Sequence, residues 1–224
     1  MDKNNFFQSG AISLSFDDGW RSIYDNGLPI LEKSGLKSTH YIISSCLDDE
    51  QFPRYMSMDH VRDLEKRGHE IGCHTVSHKH LLEESLGIIE EEIVLSKKFL
   101  EKRGFSVETL AYPYGEYNEE IIRVVQRAGF RGARTIVEGF NTEIVNPFLL
   151  ECQAVKVKTS LADIKSWIDQ AITNNVWLIL MFHQIDNEGR EWSATPKMLA
   201  EITDYLVRSK IKCITVREGI KLLK

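Results

Sequence analysis

Two adjacent carboxylates follow the first apolar run of the chain. The run AISLSF (11–16) leads directly into Asp17 and Asp18, with Gly19 behind them. Neighbouring Asp side chains repel each other and Asp is a poor strand former, so a solvated turn is the simplest interpretation. A divalent cation would relieve the repulsion, because one carboxylate could bind it while the other stayed free as a base. Gly19 would break the strand pleat and let both carboxylates face one site.

A pair of histidines has the spacing of metal ligands. In HTVSH, His74 and His78 are four residues apart, so on the first turn of a helix both imidazoles would face one side and could share an ion. Two His and one carboxylate leave coordination positions open, as in catalytic rather than structural metal sites. We expect four further histidines to be surface or capping residues: His40, His60, His69 and His80.

The elements that position these residues are short apolar runs alternating with amphipathic helical segments. Strands are predicted at 11–16, 38–44, 69–75, 109–113, 132–136, 154–158, 176–183 and 212–216. About seven or eight β-then-α units predict an α/β fold with a parallel sheet and helices outside it. Short β-branched strands and Gly-terminated helices favour a (β/α) barrel, and an open sheet is the alternative. We predict a single domain over 1–224.

The polar motifs fall where these predicted strands end. PYG (113–115) and His183 follow two further apolar runs, in addition to the Asp and His pairs. In parallel α/β folds the active site lies at the carboxyl ends of the strands, so we expect the four motifs to meet there. Cys73 alternates with His74 and should face the outer helices.

Composition and charge exclude several classes of protein. The net charge of −5 argues against a nucleic-acid binder driven by phosphate neutralisation. The start of the chain, 1–10, lacks the basic and apolar regions of a signal peptide, and the apolar stretch 176–182 is too short to span a bilayer. We expect a cytoplasmic protein, or a domain of a longer exported protein, with no membrane span and no nucleic-acid partner.

The motifs SFDDG, HTVSH, AYPYG and LMFH, in this order, resemble those of the polysaccharide deacetylases with a NodB homology domain (carbohydrate esterase family 4), in a sub-branch with an AYPYG third motif. The resemblance covers residues 11–216, although the family's fourth motif is not recognisable in GARTIVEGFN (132–141). It implies a distorted (β/α) barrel with seven or eight units. It also implies metal-dependent removal of acetyl groups from N-acetylated sugars.

The resemblance implies a role for each charged motif residue. Asp17 is the implied general base and His183 the implied general acid. Asp18, His74 and His78 are the implied ligands of one divalent metal ion. Zn²⁺ is the favoured ion, with Co, Ni, Mn or Fe as alternatives.

It also implies contacts with the substrate. The backbone N–H of Tyr114 would bind the oxyanion, Pro113 would contact the substrate, and Met181 would line the pocket for the acetyl methyl group. From its place after His183, Trp192 is predicted to stack on a sugar face, although a loop Trp can also be a hydrophobic anchor.

One departure from the family pattern leads to a prediction. The third motif usually begins with an Arg that holds the catalytic Asp, and Ala111 stands at that position. We predict that Arg134 takes over, because GARTI forms the next strand and a buried guanidinium needs a carboxylate partner, for which Asp17 is the candidate. A planar, always charged fork fixes the orientation of a carboxylate. The alternative is that Arg134 pairs with Glu138 or Glu143 at the rim.

The resemblance therefore implies a metal-dependent hydrolase that removes N-acetyl groups from an N-acetylated polysaccharide or amino sugar. One alternative is a hydrolase of a small non-sugar amide, with the same kind of metal site. The other is a non-catalytic carbohydrate-binding derivative, for which the missing Arg is the only argument.

Overall fold

A closed parallel barrel forms the centre of the fold. The computed structural model describes residues 9–47, 51 and 53–223. The strands within them are β1 (Ala11–Phe16), β2 (Thr39–Ile42), β3 (Glu70–Cys73), β4 (Thr109–Ala111), β5 (Gly132–Glu138), β6 (Leu150–Ala154), β7 (Trp177–Phe182) and β8 (Lys212–Cys213). Strands β1 to β7 pair in chain order and β7 returns to β1, so these seven strands close the barrel. β8 pairs with the beginning of β1.

Within the described residues an α-helix follows every strand except β5, which is joined to β6 by an irregular stretch. The helices are α1 (Leu28–Ser34), α2 (Met58–Lys66), α3 (Leu86–Glu101), α4 (Glu119–Arg127), α5 (Leu161–Asn174), α6 (Pro196–Ser209) and α7 (Val216–Ile220). A π-helical segment, Ile23–Gly27, leads into α1. Five helices begin with an N-cap residue whose side chain accepts a hydrogen bond from the backbone N–H three residues further along. These residues are Ser57, Asn118, Ser160, Thr195 and Thr215.

Strands β1 and β7 are buried at every position, as expected for parallel strands covered on both faces. Their side chains alternate between two clusters. Leu14 and Leu180 belong to the large cluster that also contains the buried faces of the helices. Ala11 and Met181 belong to a smaller cluster on the other face, inside the barrel.

The predicted barrel is confirmed, and the open sheet is wrong because β1 pairs with both β2 and β7. The strand predicted at 154–158 is misplaced, since β6 is Leu150–Ala154 and pairs with β5 and β7. The alternation in AVKVK belongs to the turn that follows β6, in which the Thr159 hydroxyl accepts a hydrogen bond from the Lys156 N–H at 2.9 Å.

The prediction that the chain does not begin with a signal peptide concerns residues 1–10. Of these, 1–8 lie outside the described residues. Within the described part of the chain, no helix has the length and apolar content needed to cross a membrane.

Candidate active site and metal centre

A cavity of about 380 Å³ opens where the polar motifs follow the strands. Most of the predicted site residues line it together: Asp17, Asp18, His74, His78, Tyr114, Met181, His183 and Trp192. Pro113 and Arg134 are not part of its lining. Pro113 begins the short turn Pro113–Gly115 and is buried, and Arg134 lies behind Asp17 in the barrel interior.

Asp18, His74 and His78 form the cluster with the spacing of a metal site. Asp18 Oδ1 lies 3.4 Å from His74 Nε2 and 3.6 Å from His78 Nε2. One potential ligand atom from each of the three residues lies within 4.8 Å of the other two. The set of two imidazoles and one carboxylate suits Zn²⁺ and similar divalent ions.

The hydrogen bonds around the cluster fit a bound cation. His74 Nδ1 lies 2.8 Å from the Ala111 carbonyl, so Nδ1 donates there and Nε2 keeps its lone pair for a metal. Asp18 Oδ1 is buried and accepts no hydrogen bond from the described residues. A buried carboxylate oxygen of this kind is stabilised by a cation.

The charge states of two of the three residues also suit a metal. Burial favours the neutral form of Asp18, yet the His74, His183 and His78 rings lower its pKa well below the usual range. Burial and the charge of His74 lower the pKa of His78 to about 4. For His74, burial is outweighed by Asp18 and Asp17, which raise its pKa. Near neutral pH, Asp18 is therefore charged and His78 neutral, as metal ligands must be, whereas the raised pKa of His74 favours a proton that a bound cation would displace.

A loop, and not a helical turn, brings the two histidines together. Residues 74–79 are irregular, so the expected helical turn is wrong. Instead, Thr75 and His78 have left-handed φ values of 63° and 58°, and the Thr75 hydroxyl accepts a hydrogen bond from the His78 N–H at 3.1 Å. Such strained backbone persists only where the surroundings fix it.

Helix α3 supplies that support. The buried Glu92 accepts hydrogen bonds from the N–H groups of Val76 and Ser77 at 3.0 and 2.8 Å. Ser96, one turn later, donates to the Thr75 carbonyl at 2.8 Å. The Cys73 thiol donates to Ser96, so Cys73 faces the outer helices as predicted.

The turn after β1 separates the two aspartates. Asp18 and Gly19 have φ values of 70° and 81°, which turns the chain so that both carboxylates reach the same cavity. Trp20 Nε1 donates a hydrogen bond of 2.8 Å to Asp18 Oδ2, and its ring stacks on Tyr55 with 4.5 Å between centroids. Asp18 Oδ2 is thereby held, which leaves Oδ1 toward the histidines.

Asp17 is fixed by the barrel. Its N–H donates to the Phe182 carbonyl of β7 at 2.9 Å, and its Oδ2 accepts from Arg134 Nη2. Burial would lower the pKa of Arg134, but Asp17 raises it above the usual value. Asp17 Oδ1 has no hydrogen-bond partner among the described residues. The Arg134–Asp17 contact predicted from the sequence is present, and its catalytic role stays a prediction.

His183 and Trp192 line the cavity next to each other. Their ring centroids are 4.7 Å apart, and Lys156 Nζ lies 4.0 Å from the centre of the Trp192 ring. Burial lowers the pKa of His183. Its Nδ1 is buried and makes no hydrogen bond within the described residues.

Tyr114 occupies the left-handed region with φ of 55° inside the PYG turn. Its ring stacks on His80 with 3.7 Å between centroids and meets His78 edge-on at 4.5 Å. Glu116 lies 2.9 Å from His80 Nδ1. The PYG turn and the histidine loop therefore support each other at the cavity rim.

No separate role was predicted for Trp20, Glu92 or Gln184, although all three contact or line the site. Glu92 could have been found as an acidic residue on the apolar face of α3, one residue before the buried Ile93. Trp20 follows the DDG motif directly, but nothing in its position predicts which way the indole turns.

Comparisons with known proteins bear on the family and the fold of this chain. The profile of the polysaccharide deacetylase family matches residues 6–133, more than half of the chain. The poly-β-1,6-N-acetyl-D-glucosamine N-deacetylase of Staphylococcus aureus is 28% identical over 160 residues, which are 66% of this chain and 55% of that protein. The chain spans about half the length of the curated relatives it matches.

Solved structures show the same fold. The Streptococcus pyogenes deacetylase PplD, in complex with acetate, is 25% identical with a TM-score of 0.60, over 62% of each chain. A family 4 acetyl xylan esterase from Clostridium thermocellum, in complex with a cobalt ion, is 19% identical with a TM-score of 0.66, over 95% of this chain and 91% of that one. The family profile includes the first three motifs, and on that match this chain belongs to the polysaccharide deacetylase family.

Proposed function

We propose that this chain is a metal-dependent deacetylase that removes N-acetyl groups from an N-acetylated polysaccharide or amino sugar. The observation that carries the proposal is the separation of roles between two adjacent carboxylates. Asp18 lies with two histidines, whereas Asp17 keeps one oxygen free in the same cavity. The names of the relatives support an N-acetylated glycan as the substrate class.

Asp18, His74 and His78 would hold one divalent cation, with Zn²⁺ as the favoured ion. When bound, the cation would polarise the amide carbonyl and lower the pKa of the attacking water. The cobalt ion in the C. thermocellum esterase supports a metal in this fold.

Asp17 and His183 would move the protons of the hydrolysis. Asp17 Oδ1 would take one proton from the attacking water, whose oxygen bonds to the acyl carbon. His183 would give a proton to the nitrogen as the C–N bond breaks, which yields acetate and a free amine. A His with a pKa lowered by burial is a stronger acid once protonated.

Backbone and apolar groups would bind the acetyl group. The Tyr114 N–H would donate to the negatively charged oxygen, an interaction worth about 3–4 kcal/mol in the transition state. Met181 and Ile136 both line the cavity and would enclose the methyl group. Trp192, next to His183, would stack on the sugar ring.

Arg134 would act as a positioning residue through Asp17. Its Nη1 donates to the Thr135 carbonyl and lies 2.9 Å from Met181 Sδ. These contacts fix the guanidinium, which in turn fixes Asp17 Oδ2 and directs Oδ1 into the cavity.

Acetate release tests the proposal. The purified protein is incubated with a panel of N-acetylated glycans, monomeric amino sugars and small cyclic amides, with and without a chelator. We expect acetate from at least one N-acetylated sugar, loss of release with the chelator, and recovery on adding Zn²⁺ or Co²⁺. Turnover of the small amides alone would identify a non-sugar amidohydrolase. Glycan binding without release would identify a binding module.

A further inference from the structure

A buried tyrosine lies next to the Arg134–Asp17 pair and has none of the roles given above. Tyr41 is the third residue of β2, is fully buried and pairs in register with Gly72 of β3. A Cβ atom at position 72 would lie 2.5 Å from Tyr41 Cδ1, so only glycine leaves room for the ring. The ring therefore lies against the backbone of β3, and the sheet fixes its place.

Two residues of the site adjoin this ring. Arg134 Cζ lies 5.4 Å from its centre, a distance at which a guanidinium is attracted by an aromatic face, and more strongly when both are desolvated. The His74 ring centroid lies 6.4 Å from the Tyr41 ring centroid. Tyr41 thus adjoins both the residue that contacts Asp17 and one of the implied metal ligands.

Hydrogen bonds hold only part of the guanidinium. Arg134 Nη2 donates to Asp17 and Nη1 donates to the Thr135 carbonyl. The buried Nε has no hydrogen-bond partner among the described residues. If the ring of Tyr41 were absent, a cavity would open beside the guanidinium. The guanidinium could then move into this space, and Asp17 would lose its fixed orientation.

The ring of Tyr41, and not its hydroxyl, provides the attraction. The hydroxyl is buried and makes no hydrogen bond within the described residues. Burial, followed by the charge of Glu70, raises its pKa above the usual value, so it is a neutral phenol that offers Arg134 no negative charge. Glu70 itself accepts hydrogen bonds from the Thr39 hydroxyl and the Arg217 N–H, each at 2.8 Å.

We propose that the aromatic ring of Tyr41 positions the catalytic base, because it holds the guanidinium of Arg134 that fixes Asp17. Tyr41 acts through Arg134 and does not touch the reacting atoms, so it is a positioning residue. The inference requires a ring at position 41 but no hydroxyl. It rests on the proposed function, because that function makes Asp17 the base.

Substitutions at position 41 separate the ring from the hydroxyl. Tyr41→Phe keeps the ring, and we expect its kcat for acetate release to stay within about threefold of the wild-type value. Tyr41→Leu removes the ring, so kcat should fall about tenfold or more with little change in KM. Metal content should stay at the wild-type level, because His74 keeps its hydrogen bond to the Ala111 carbonyl.

The matched control is Phe130→Leu. The Phe130 ring is also buried and lies 5.1 Å from a cation, Lys97 Nζ. It belongs to the large cluster that includes the buried faces of the helices. Its loss should therefore lower stability in a similar way but leave kcat unchanged.

Urea unfolding tests the contact without any turnover. The free energy of unfolding is measured for Tyr41→Leu, Arg134→Met and the double variant. If the ring supports the guanidinium, the double variant should lose less stability than the sum of the two single losses. Phe130→Leu combined with Arg134→Met should lose the full sum. Tyr41→Met, which fills more of the space, replaces Tyr41→Leu in both experiments if that protein does not fold.

Four results would overturn the inference. One is a wild-type kcat in the variant without the ring, and another is additive losses in Tyr41→Leu/Arg134→Met. A third is loss of the metal ion from Tyr41→Leu, since the ring would then act on His74. The fourth is a Tyr41→Phe protein as slow as Tyr41→Leu, because the hydroxyl would then be responsible.

The failure of the proposed function looks different. A wild-type protein that releases no acetate, together with non-additive losses for Tyr41 and Arg134, would contradict the deacetylase and leave the support of the guanidinium standing. Acetate release with additive losses would overturn the role of Tyr41 and leave the deacetylase standing.

Discussion

The guanidinium of Arg134 on β5 contacts Asp17 at the end of β1, although the two residues are 117 positions apart in the chain. Both side chains are almost completely buried. The same guanidinium lies 2.9 Å from Met181 Sδ, so one side chain links the implied base to the wall of the cavity. A buried pair of this kind is most sensitive to the loss of one partner, because the other charge is then left uncompensated.

We therefore predict that Arg134→Met lowers both activity and stability. The unpaired Asp17 should reduce the free energy of unfolding by about 3–5 kcal/mol. Arg134→Lys keeps the charge but not the planar fork, so we expect it to fold better and still to lose about tenfold or more in kcat, with little change in KM. Metal content should stay at the wild-type level in both variants.

The matched control is Arg131→Met, which removes an exposed ion pair with Glu108 and should cost at most about 1 kcal/mol. Acetate release at saturating substrate, thermal unfolding and metal analysis are measured on all three proteins. An Arg134→Lys protein with wild-type kcat would show that Asp17 is oriented by something else.

The barrel and the convergence of the motifs at one end of it could be predicted, because both follow from local patterns in the sequence. The uninterrupted apolar run of β7 and the polar residues after four of the strands are properties of the sequence alone. The route by which His74 and His78 converge could not be predicted. The i, i+4 spacing suggested a helix. The loop is instead fixed by Glu92 on α3, which lies next to the loop only in the folded structure.

Other features also depended on distant neighbours. The prediction that His40 and His69 are surface or capping residues is wrong, since both are buried. Ser38 Oγ lies 2.9 Å from His40 Nε2 and 2.8 Å from His69 Nδ1, so the two rings share one hydroxyl across two strands. His60, in contrast, caps α2 as expected. Gln184 has no pattern of its own in the sequence, and only the folded structure shows that it lines the cavity.

The cluster after β3 leads to a prediction about metal content. The His74→Ala/His78→Ala protein should lose the divalent ion, because Asp18 alone offers one ligand and open-site metals need three protein ligands. His80→Ala is the matched control, as His80 is close by but bonds to Glu116 instead. Metal analysis of purified proteins decides the matter. An unchanged metal-to-protein ratio in the double variant would contradict the ligand assignment.

The hydrogen bond from Trp20 Nε1 to Asp18 Oδ2 predicts a change in metal affinity. Trp20→Phe keeps a ring against Tyr55 but removes the donor, which frees Asp18 to rotate. Loss of such an outer hydrogen bond typically weakens metal binding about 10–100-fold. Competition with a chromophoric chelator measures the Zn²⁺ affinity, with Trp167→Phe on α5 as the control. Equal affinities for the two variants would mean that the indole does not position the ligand.

Asp17 and His183 should be needed for turnover but not for the metal. We expect Asp17→Asn and His183→Ala each to keep the ion and to lose about 10²–10⁴-fold in kcat, the usual contribution of general acid–base catalysis. Asp169→Asn, on the surface of α5, controls for a change of charge. If either site variant stays within about threefold of the wild-type rate, well short of that range, its proposed role is wrong.

The last prediction concerns acid stability and the buried His40. Burial, followed by the charge of His69, lowers the pKa of His40 well below its usual value of 6.5. The unfolded chain therefore takes up a proton at a pH where the folded chain does not. His40 stabilises the fold fully above the unfolded pKa, and this contribution falls as the pH drops below about 6.5.

Between pH 7 and pH 5 the loss from His40 should be at most about 2 kcal/mol, at 1.4 kcal/mol per pH unit below the unfolded pKa. His40→Gln removes the titrating group and keeps a side chain that can bond to Ser38, so its stability should fall less steeply over the same range. Urea unfolding of both proteins, with chelator present throughout, gives the two slopes. The chelator removes any bound metal ion, so that pH-dependent metal binding by His74 and His78 adds nothing to either slope. If the wild-type and His40→Gln slopes coincide, the acid sensitivity comes from other groups. The pKa of His40 is then the same in the folded and unfolded chains.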